Sequence, residues 1–250
     1  MSRVGGYGSH SLLATSRHPP LQRLLRALYP PMPALNVIPC NTLAEIRAVI
    51  FRPGAMVLNV GSGGLSGSGR RLWADPVVER CSVIHMDIGA GKDVAVRGDA
   101  HHLPFHDASL DAIVMQAVLE HLRDPRAAIA EAMRVLRPGG ALYLEVPFLQ
   151  GFHADPHDYQ RYTLEGLRQR LQAFDEVAGG VSVGPFCSLT WFIRDGLSSC
   201  FRSRWLYAAS RFVVGWLVSP LRYLDYLTRG NPAAYRLANE YYYLCRKRNP

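Results

Sequence analysis

The pattern of apolar and polar positions changes character near residue 55. Before it, residues 1–35 mix Gly, Ser and His with Pro19, Pro20, Pro30, Pro31 and Pro33, and leave room for one short helix at Leu21–Leu28. Asn41 can cap a helix running to about Ile50, which Arg52-Pro53-Gly54 would end. After it, short branched runs alternate with helical periods. Val57–Val60 reads as a buried strand entering the Gly-rich turn Gly61-Ser62-Gly63-Gly64. Ser82–Ile88, 94–99, Leu110–Met115, Ala141–Val146 and Val177–Val183 read as further strands. Between them, Asp124 and Pro125 form the start signal of a helix with one apolar face (Ile129, Ala132, Met133, Leu136), which Pro138-Gly139-Gly140 should stop. Thr163 can cap a helix over about Leu164–Phe174. Asn239–Lys247 reads as a closing strand. Strands alternating with helices predict an α/β fold: a parallel, doubly wound sheet covered on both faces.

Composition narrows the class. With 250 residues, 48% apolar and 19% charged, the chain can bury a core and is not intrinsically disordered. Its five cysteines stand at 40, 81, 187, 200 and 245 with no C-x-x-C pair, which argues against a zinc ribbon and fits reduced thiols. No signal peptide is expected after Arg3, and the most membrane-like run, Phe212–Leu221, is far shorter than the roughly 20 residues a span needs. The net charge of +8 is uneven: residues 1–52 carry +5, residues 53–193 carry −4 and residues 194–250 carry +7. Basic flanks can meet anionic lipid, nucleic acid or phosphorylated substrates, or simply be solvated, since charge alone names no partner.

Ligands of such sheets bind beyond the carboxyl ends of the strands, near the switch in strand order. There the sequence offers the Gly61–Gly64 turn, Asp87 closing the second strand and Asp99 closing the third. A carboxylate at Asp87 can accept both hydroxyls of a ribose. Asp99 can accept from an adenine amino group, beside the backbone N–H of Ala100. Together these describe a pocket for an adenosine-containing cofactor. The dinucleotide fingerprint G-x-G-x-x-G is broken by Ser66 at its third glycine, which disfavours nicotinamide.

The segments VLNVGSGG (57–64), HMDI (85–88), GDAHHLPF (98–105), SLDAIV (109–114), VLEHLRD (118–124) and RVLRPGG (134–140) resemble, in order and spacing, the class I S-adenosylmethionine-dependent methyltransferases, in the branch that includes the ubiquinone-biosynthesis enzymes. The resemblance covers about residues 53–190. It implies a Rossmann-like, seven-stranded sheet with an antiparallel last strand, and S-adenosylmethionine as cofactor. Carried over by position, Asn59, Gly61, Ser62 and Gly63 lie at the methionine part, Asp87 and Ile88 at the ribose, and Asp99 and Ala100 at the adenine. The stretch from Gln116 to Leu119 lines the methionine end, with Glu120 and His121 following. Asn59 stands where the family usually has an acidic residue and Leu65 where a third Gly is common. The interval from Gly63 to Asp87 is long, which implies an expanded helix or loop.

A second cluster, from His153 to Thr163, follows the fifth strand. His153 and His157 have side chains suited to accepting a proton near neutral pH, and Asp158 could orient one of them. Tyr159 and Arg161 are read as substrate contacts, Arg161 through bidentate pairing with an anion. An alternative reading pairs Asp158 with Arg161 and packs Tyr159 and Tyr162 as structure. The segment also contains metal-ligating groups, but its spacing matches no specific motif, so no metal is assigned.

Four regions are expected: an N-terminal extension (1–52), the methyltransferase core (53–196), a basic and aromatic helical insertion (197–238), and a closing strand with its tail (239–250). The insertion alternates Trp205, Tyr207, Phe212, Trp216, Tyr223 and Tyr226 with Arg202, Arg204, Arg211 and Arg222, as a cap over the acceptor site or a helix on a membrane surface. The expected activity is methylation, at oxygen, of a small-molecule, glycan or lipid-linked acceptor. The alternatives are a methyltransferase-like binding protein without turnover, then a nicotinamide-dependent oxidoreductase. Nucleic acid is not an expected partner. The expected location is cytoplasmic, with peripheral membrane contact through the C-terminal helices.

Overall fold

The computed structural model describes residues 29–31, 33–63, 70–91, 93–154 and 156–249; the expected helix at Leu21–Leu28 and the turn residues Gly64, Leu65 and Ser66 lie outside them. One sheet of seven strands organises the molecule: β1 (Met56–Val60), β2 (Ser82–Asp87), β3 (Val96–Arg97), β4 (Leu110–Gln116), β5 (Leu136–Pro147), β6 (Phe174–Val183) and β7 (Glu240–Lys247). Their order is β3-β2-β1-β4-β5-β7-β6. β1 to β5 run parallel, and β7 lies antiparallel between β5 and β6.

Both faces are buried, which is why the central strands read as unbroken apolar runs. On one face, Leu58, Met86, Ile113, Met115, Leu142 and Leu144 pack against Ala128, Ile129, Ala132 and Val135 of α3 (Pro125–Val135) and Leu167 of α4 (Leu164–Arg170). On the other, Val57, Ala112, Val114 and Tyr143 pack against Leu43, Ile46 and Ile50 of α1 (Cys40–Ile50). The long Gly63–Asp87 interval holds the single-turn helix α2 (Arg70–Trp73) and a 3₁₀ segment, Pro76–Arg80. Arg47 of α1 fastens α2, donating to the carbonyls of Leu72 (3.0 Å) and Ala74 (3.1 Å).

Several boundaries differ from the sequence expectation. Asn41 lies inside α1, whose first carbonyl acceptor is Pro39, and no side chain caps it. α3 ends at Val135 rather than at the Pro-Gly-Gly run: Leu136 is already extended and pairs with Leu110, two residues before Pro138. Arg137 to Gly140 instead form a bulge within β5, across which pairing jumps from Leu110 with Leu136 to Ala112 with Ala141. β3 shrinks to two residues, since the chain turns at once through the Asp99–His102 bridge. α4 stops at Arg170, and Phe174 already pairs with Lys247 in β6.

The helical insertion opens at Pro185, so the expected boundary at 196/197 falls inside α5 (Pro185–Ser199). α6 (Arg204–Val218) follows, then 3₁₀ segments at Ser219–Tyr226 and Pro232–Leu237. Proline at the first helical position fits a helix start. The first N–H groups of α5 are satisfied from far along the chain: Phe186 and Cys187 donate to the two carboxylate oxygens of Asp225 (2.7 and 2.9 Å).

Candidate functional site

The switch in strand order falls between β1 and β4, which run parallel, and the Gly61–Gly63 turn leaves β1 at that point. The N–H groups of Gly61 and Ser62 both donate to the Met86 carbonyl (2.9 and 3.2 Å). Gly61 has φ +71°, and a Cβ there would lie 2.5 Å from Val118 Cγ2. A Cβ on Gly63 would lie 2.9 Å from Asp87 Oδ2, the oxygen that accepts the Gly63 N–H at 2.8 Å. Glycine is therefore required at Gly61 by its backbone as well as its space, and a side chain at Gly63 would push the Asp87 carboxylate out of place. The other Asp87 oxygen accepts from Gly89 N–H (2.8 Å), and each carboxylate oxygen keeps a further lone pair for a ligand hydroxyl. Ile88, beside it, is 63% exposed, an apolar surface at the rim of the turn.

The remaining expected cofactor residues divide into open and engaged groups. Asp99 accepts the N–H of His101 (2.9 Å) and contacts its Nδ1 (2.6 Å). Burial opposes its ionisation, but the His101 hydrogen bonds and the neighbouring histidines outweigh that and hold the carboxyl below its ordinary value. Ala100 is buried behind it. Asn59 is also buried, with Nδ2 3.1 Å from His85 Nδ1, so its side chain ties β1 to β2. Gln116 accepts from Trp73 Nε1 (2.9 Å) and also meets Glu145. Tyr143 donates to Glu145 at 2.6 Å; burial pushes both of these groups up. Sequence reading missed this Trp73–Gln116–Glu145–Tyr143 chain, because its members are assembled from three separate segments. Ala117, next to Gln116, has φ +53°. Such backbone is costly for a residue with a Cβ and clusters at functional sites.

The second cluster folds as a braced loop over the 3₁₀ turn Leu119–His121. Tyr159 N–H donates to the Glu120 carbonyl (2.8 Å) and Gln160 Nε2 to the Leu122 carbonyl (3.1 Å). The bidentate partner of Arg161 is Asp158 of the same loop, and the guanidinium also donates to the carbonyls of Gln150 (3.1 Å) and Gly151 (3.0 Å). Asp158 accepts the His153 N–H at 2.8 Å. Burial pushes its carboxyl up, but Arg161 and that N–H more than offset it, so the group sits below its ordinary value. His157 and Tyr159 are exposed and lie ring against ring, 5.4 Å between centroids.

His153 turns inward to Glu120 and His121. Burial would lower its pKa, but Glu120 and the Gly151 carbonyl raise it more, and the net shift is upward. Of the expected catalytic residues, the fold thus brings His153 to a buried carboxylate, commits Asp158 to the loop brace and leaves His157 at the surface. The Glu120–His121 pair was visible in the sequence, but the turn that aims both side chains at His153 was not.

Comparison with known proteins agrees with this architecture. Residues 58–144 match the family described as a methyltransferase domain. The strand order and the glycine turn of the α/β core are in keeping with that match, which takes in most of β1 through most of β5. A demethylmenaquinone methyltransferase of Renibacterium salmoninarum is 34% identical over 107 residues, which cover 39% of this chain and 43% of that protein. A ubiquinone biosynthesis O-methyltransferase of Xanthomonas campestris is 32% identical over 124 residues, covering 46% of this chain and 51% of that protein. The chain thus spans about half the length, or less, of the curated relatives it matches. The crystal structure of the cyclase SpnF superposes with a TM-score of 0.53 at 16% identity, covering 92% of this chain and 93% of that one, which is agreement of fold. Among the described residues, no helix is long and apolar enough to cross a membrane.

Proposed function

We propose that the protein transfers a methyl group from S-adenosylmethionine to an oxygen of an amphipathic acceptor, a small molecule, glycan or lipid-linked compound. The observation that carries this reading is the Asp87 carboxylate seated against the Gly61–Gly63 turn at the switch point. In this reading Asp87 accepts the ribose hydroxyls and Ile88 covers the sugar face. Asp99 and the Ala100 N–H hold the adenine. The turn at Gly61–Gly63 and the strained backbone after Gln116 flank the methionine end. Methyl transfer is an in-line displacement, so the protein's main task is to align acceptor oxygen, methyl carbon and sulfur. The acceptor's hydroxyl must also lose its proton, and the Glu120–His121–His153 cluster is the group suited to promote that.

The amphipathic acceptor rests on α6. Its Trp205, Leu206, Phe212, Val213, Trp216 and Leu217 recur at helical spacing and are all exposed, while Gly215 is its buried residue. An apolar face turned outward among arginines suits a lipid surface or a lipid-bearing substrate.

Calorimetric titration with S-adenosylmethionine and S-adenosylhomocysteine tests the cofactor reading. Both should bind the wild-type chain, and Asp87→Ala should weaken both by about 10–100-fold, the loss expected for charge-assisted hydrogen bonds. Absence of binding to the folded wild type, or equal binding by the variant, would overturn it. Transfer of labelled methyl to hydroxyl acceptors then tests turnover, and binding without transfer would favour a non-catalytic role.

A further inference from the structure

Glu120 presents a buried carboxyl group without a direct hydrogen bond. Its side chain is fully buried, and neither carboxylate oxygen has a hydrogen-bond partner. Leaving such a group unmatched is costly. His153 Nε2 lies 3.6 Å from Oε1, and His121 Nε2 lies 3.8 Å from the same oxygen. Both distances exceed a hydrogen bond. The two rings meet edge to face at 5.2 Å, and one ligand atom from each of the three residues lies within 4.8 Å of the others.

The opposite edges of the rings show which way their lone pairs point. His121 Nδ1 lies 2.5 Å from the His157 carbonyl, and His153 Nδ1 lies 3.0 Å from the Gly151 carbonyl. A carbonyl oxygen only accepts, so each Nδ1 is placed to donate to it; the Arg161 guanidinium also approaches His153 Nδ1, but at the longer distance of 3.4 Å. In a neutral ring the Nε2 lone pair then faces Glu120. Two imidazole lone pairs and a carboxylate converge on one small space, and a cation between them would balance the arrangement. Backbone carbonyls on the distal ring nitrogens are the usual device for orienting metal-bound histidines. The brace from Asp158 to the His153 N–H, itself held by Arg161, fixes the loop that delivers the second imidazole.

We infer that Glu120, His121 and His153 form a binding site for a divalent transition-metal ion. Bonds of about 2.1 Å in a tetrahedral shell set ligand atoms roughly 3.4 Å apart, so shifts of a few tenths of an ångström would close the two Glu120 distances around an ion. Two imidazoles with one carboxylate suit Zn²⁺ or its first-row neighbours better than Mg²⁺ or Ca²⁺. Three protein ligands leave a coordination position open. Resting on the methyl-transfer reading, that position would take the acceptor oxygen. The ion lowers the hydroxyl's pKa, so its proton passes to water. The oxygen then forms its bond to the methyl carbon as the carbon–sulfur bond breaks, with the electron pair left on S-adenosylhomocysteine.

The test uses the full chain, stripped with a chelator. Calorimetric titration with Zn²⁺ should give one saturable site per chain, and Mg²⁺ should not compete for it. Co²⁺ should produce a visible d–d absorption band that Zn²⁺ bleaches. His121→Ala and His153→Ala, each checked for retained S-adenosylhomocysteine binding, should weaken Zn²⁺ by at least about 10-fold, on the scale of losing a metal-site partner. Asp87→Ala should keep the ion while losing the cofactor. Absence of saturable Zn²⁺ binding, or binding that survives both histidine variants, would overturn the inference. If S-adenosylhomocysteine binds and Zn²⁺ does not, the metal site alone fails; if Zn²⁺ binds and S-adenosylhomocysteine does not, the methyl-transfer reading alone fails.

Discussion

Glu131 shows at the scale of one residue how the cofactor side of the sheet is held. Arg134 donates to both of its oxygens (2.8 Å each), and the Leu103 N–H donates to one of them at 2.7 Å. The side chain therefore pins the loop after Asp99 to α3. Arg134, against a smaller opposing effect of burial, keeps the carboxyl below its ordinary value. A group with a depressed folded-state pKa stabilises the fold above its unfolded value, about 4.3, and loses that contribution as pH falls through the folded value. Urea titrations of wild type and Glu131→Gln should differ by about 1–2 kcal/mol near pH 7. The gap should shrink steadily below about pH 4.5. A gap independent of pH would show that the carboxylate charge contributes nothing. The glycines of the turn act by subtraction instead: Gly61 and Gly63 matter for the side chains they lack, which lets Val118 and Asp87 close on the backbone.

Elements were legible where local chemistry decided them. Asp124 does cap α3, accepting from the N–H groups of Arg126 (3.0 Å) and Ala127 (3.3 Å), and Thr163 does cap α4 through Gly166 N–H (3.0 Å). The branched runs became strands, and Asp87 closed β2 as read. What escaped was set by distant partners. The bulge in β5 is fixed by pairing with β4, and the start of α5 by a carboxylate at Asp225, 38 positions after Cys187. The Gly61–Gly63 turn is a contiguous motif and could be read from the sequence. The Glu120–His121–His153 cluster joins two segments through a 3₁₀ turn and a braced loop, so no spacing rule signals it. Removing the remote cap tests how far α5 depends on it. Asp225→Ala should cost about 2–3 kcal/mol in chemical denaturation, from two orphaned N–H groups, and Asp225→Asn roughly half of that. Equal stability of all three proteins would show that water satisfies the helix end.

At the scale of the molecule, α6 stands out because its apolar side faces away from the protein. Trp205 is 78% and Leu217 74% exposed, while arginines rim the same segment. Contiguous apolar surface of this kind marks an interaction site. The chain should co-sediment with vesicles containing anionic lipid and show a blue-shifted tryptophan emission there. Leu217→Glu should abolish both effects without lowering the melting temperature. If wild type and variant stay equally in the supernatant, the face serves something other than lipid.

The position of β7 has a consequence for how the molecule is made. It fills the gap between β5 and β6, yet the whole helical excursion from Pro185 to Leu237 precedes it in the chain. On the ribosome, the facing edges of β5 and β6 must wait with open rows of amides and carbonyls until residues 240–247 emerge. Unpaired edges are templates for aggregation, and pairings between distant segments form slowly. During that wait the outward apolar face of α6 is already present. Synthesis therefore passes through a stage in which two sticky surfaces coexist, and a chaperone or an early encounter with a membrane would do most good there.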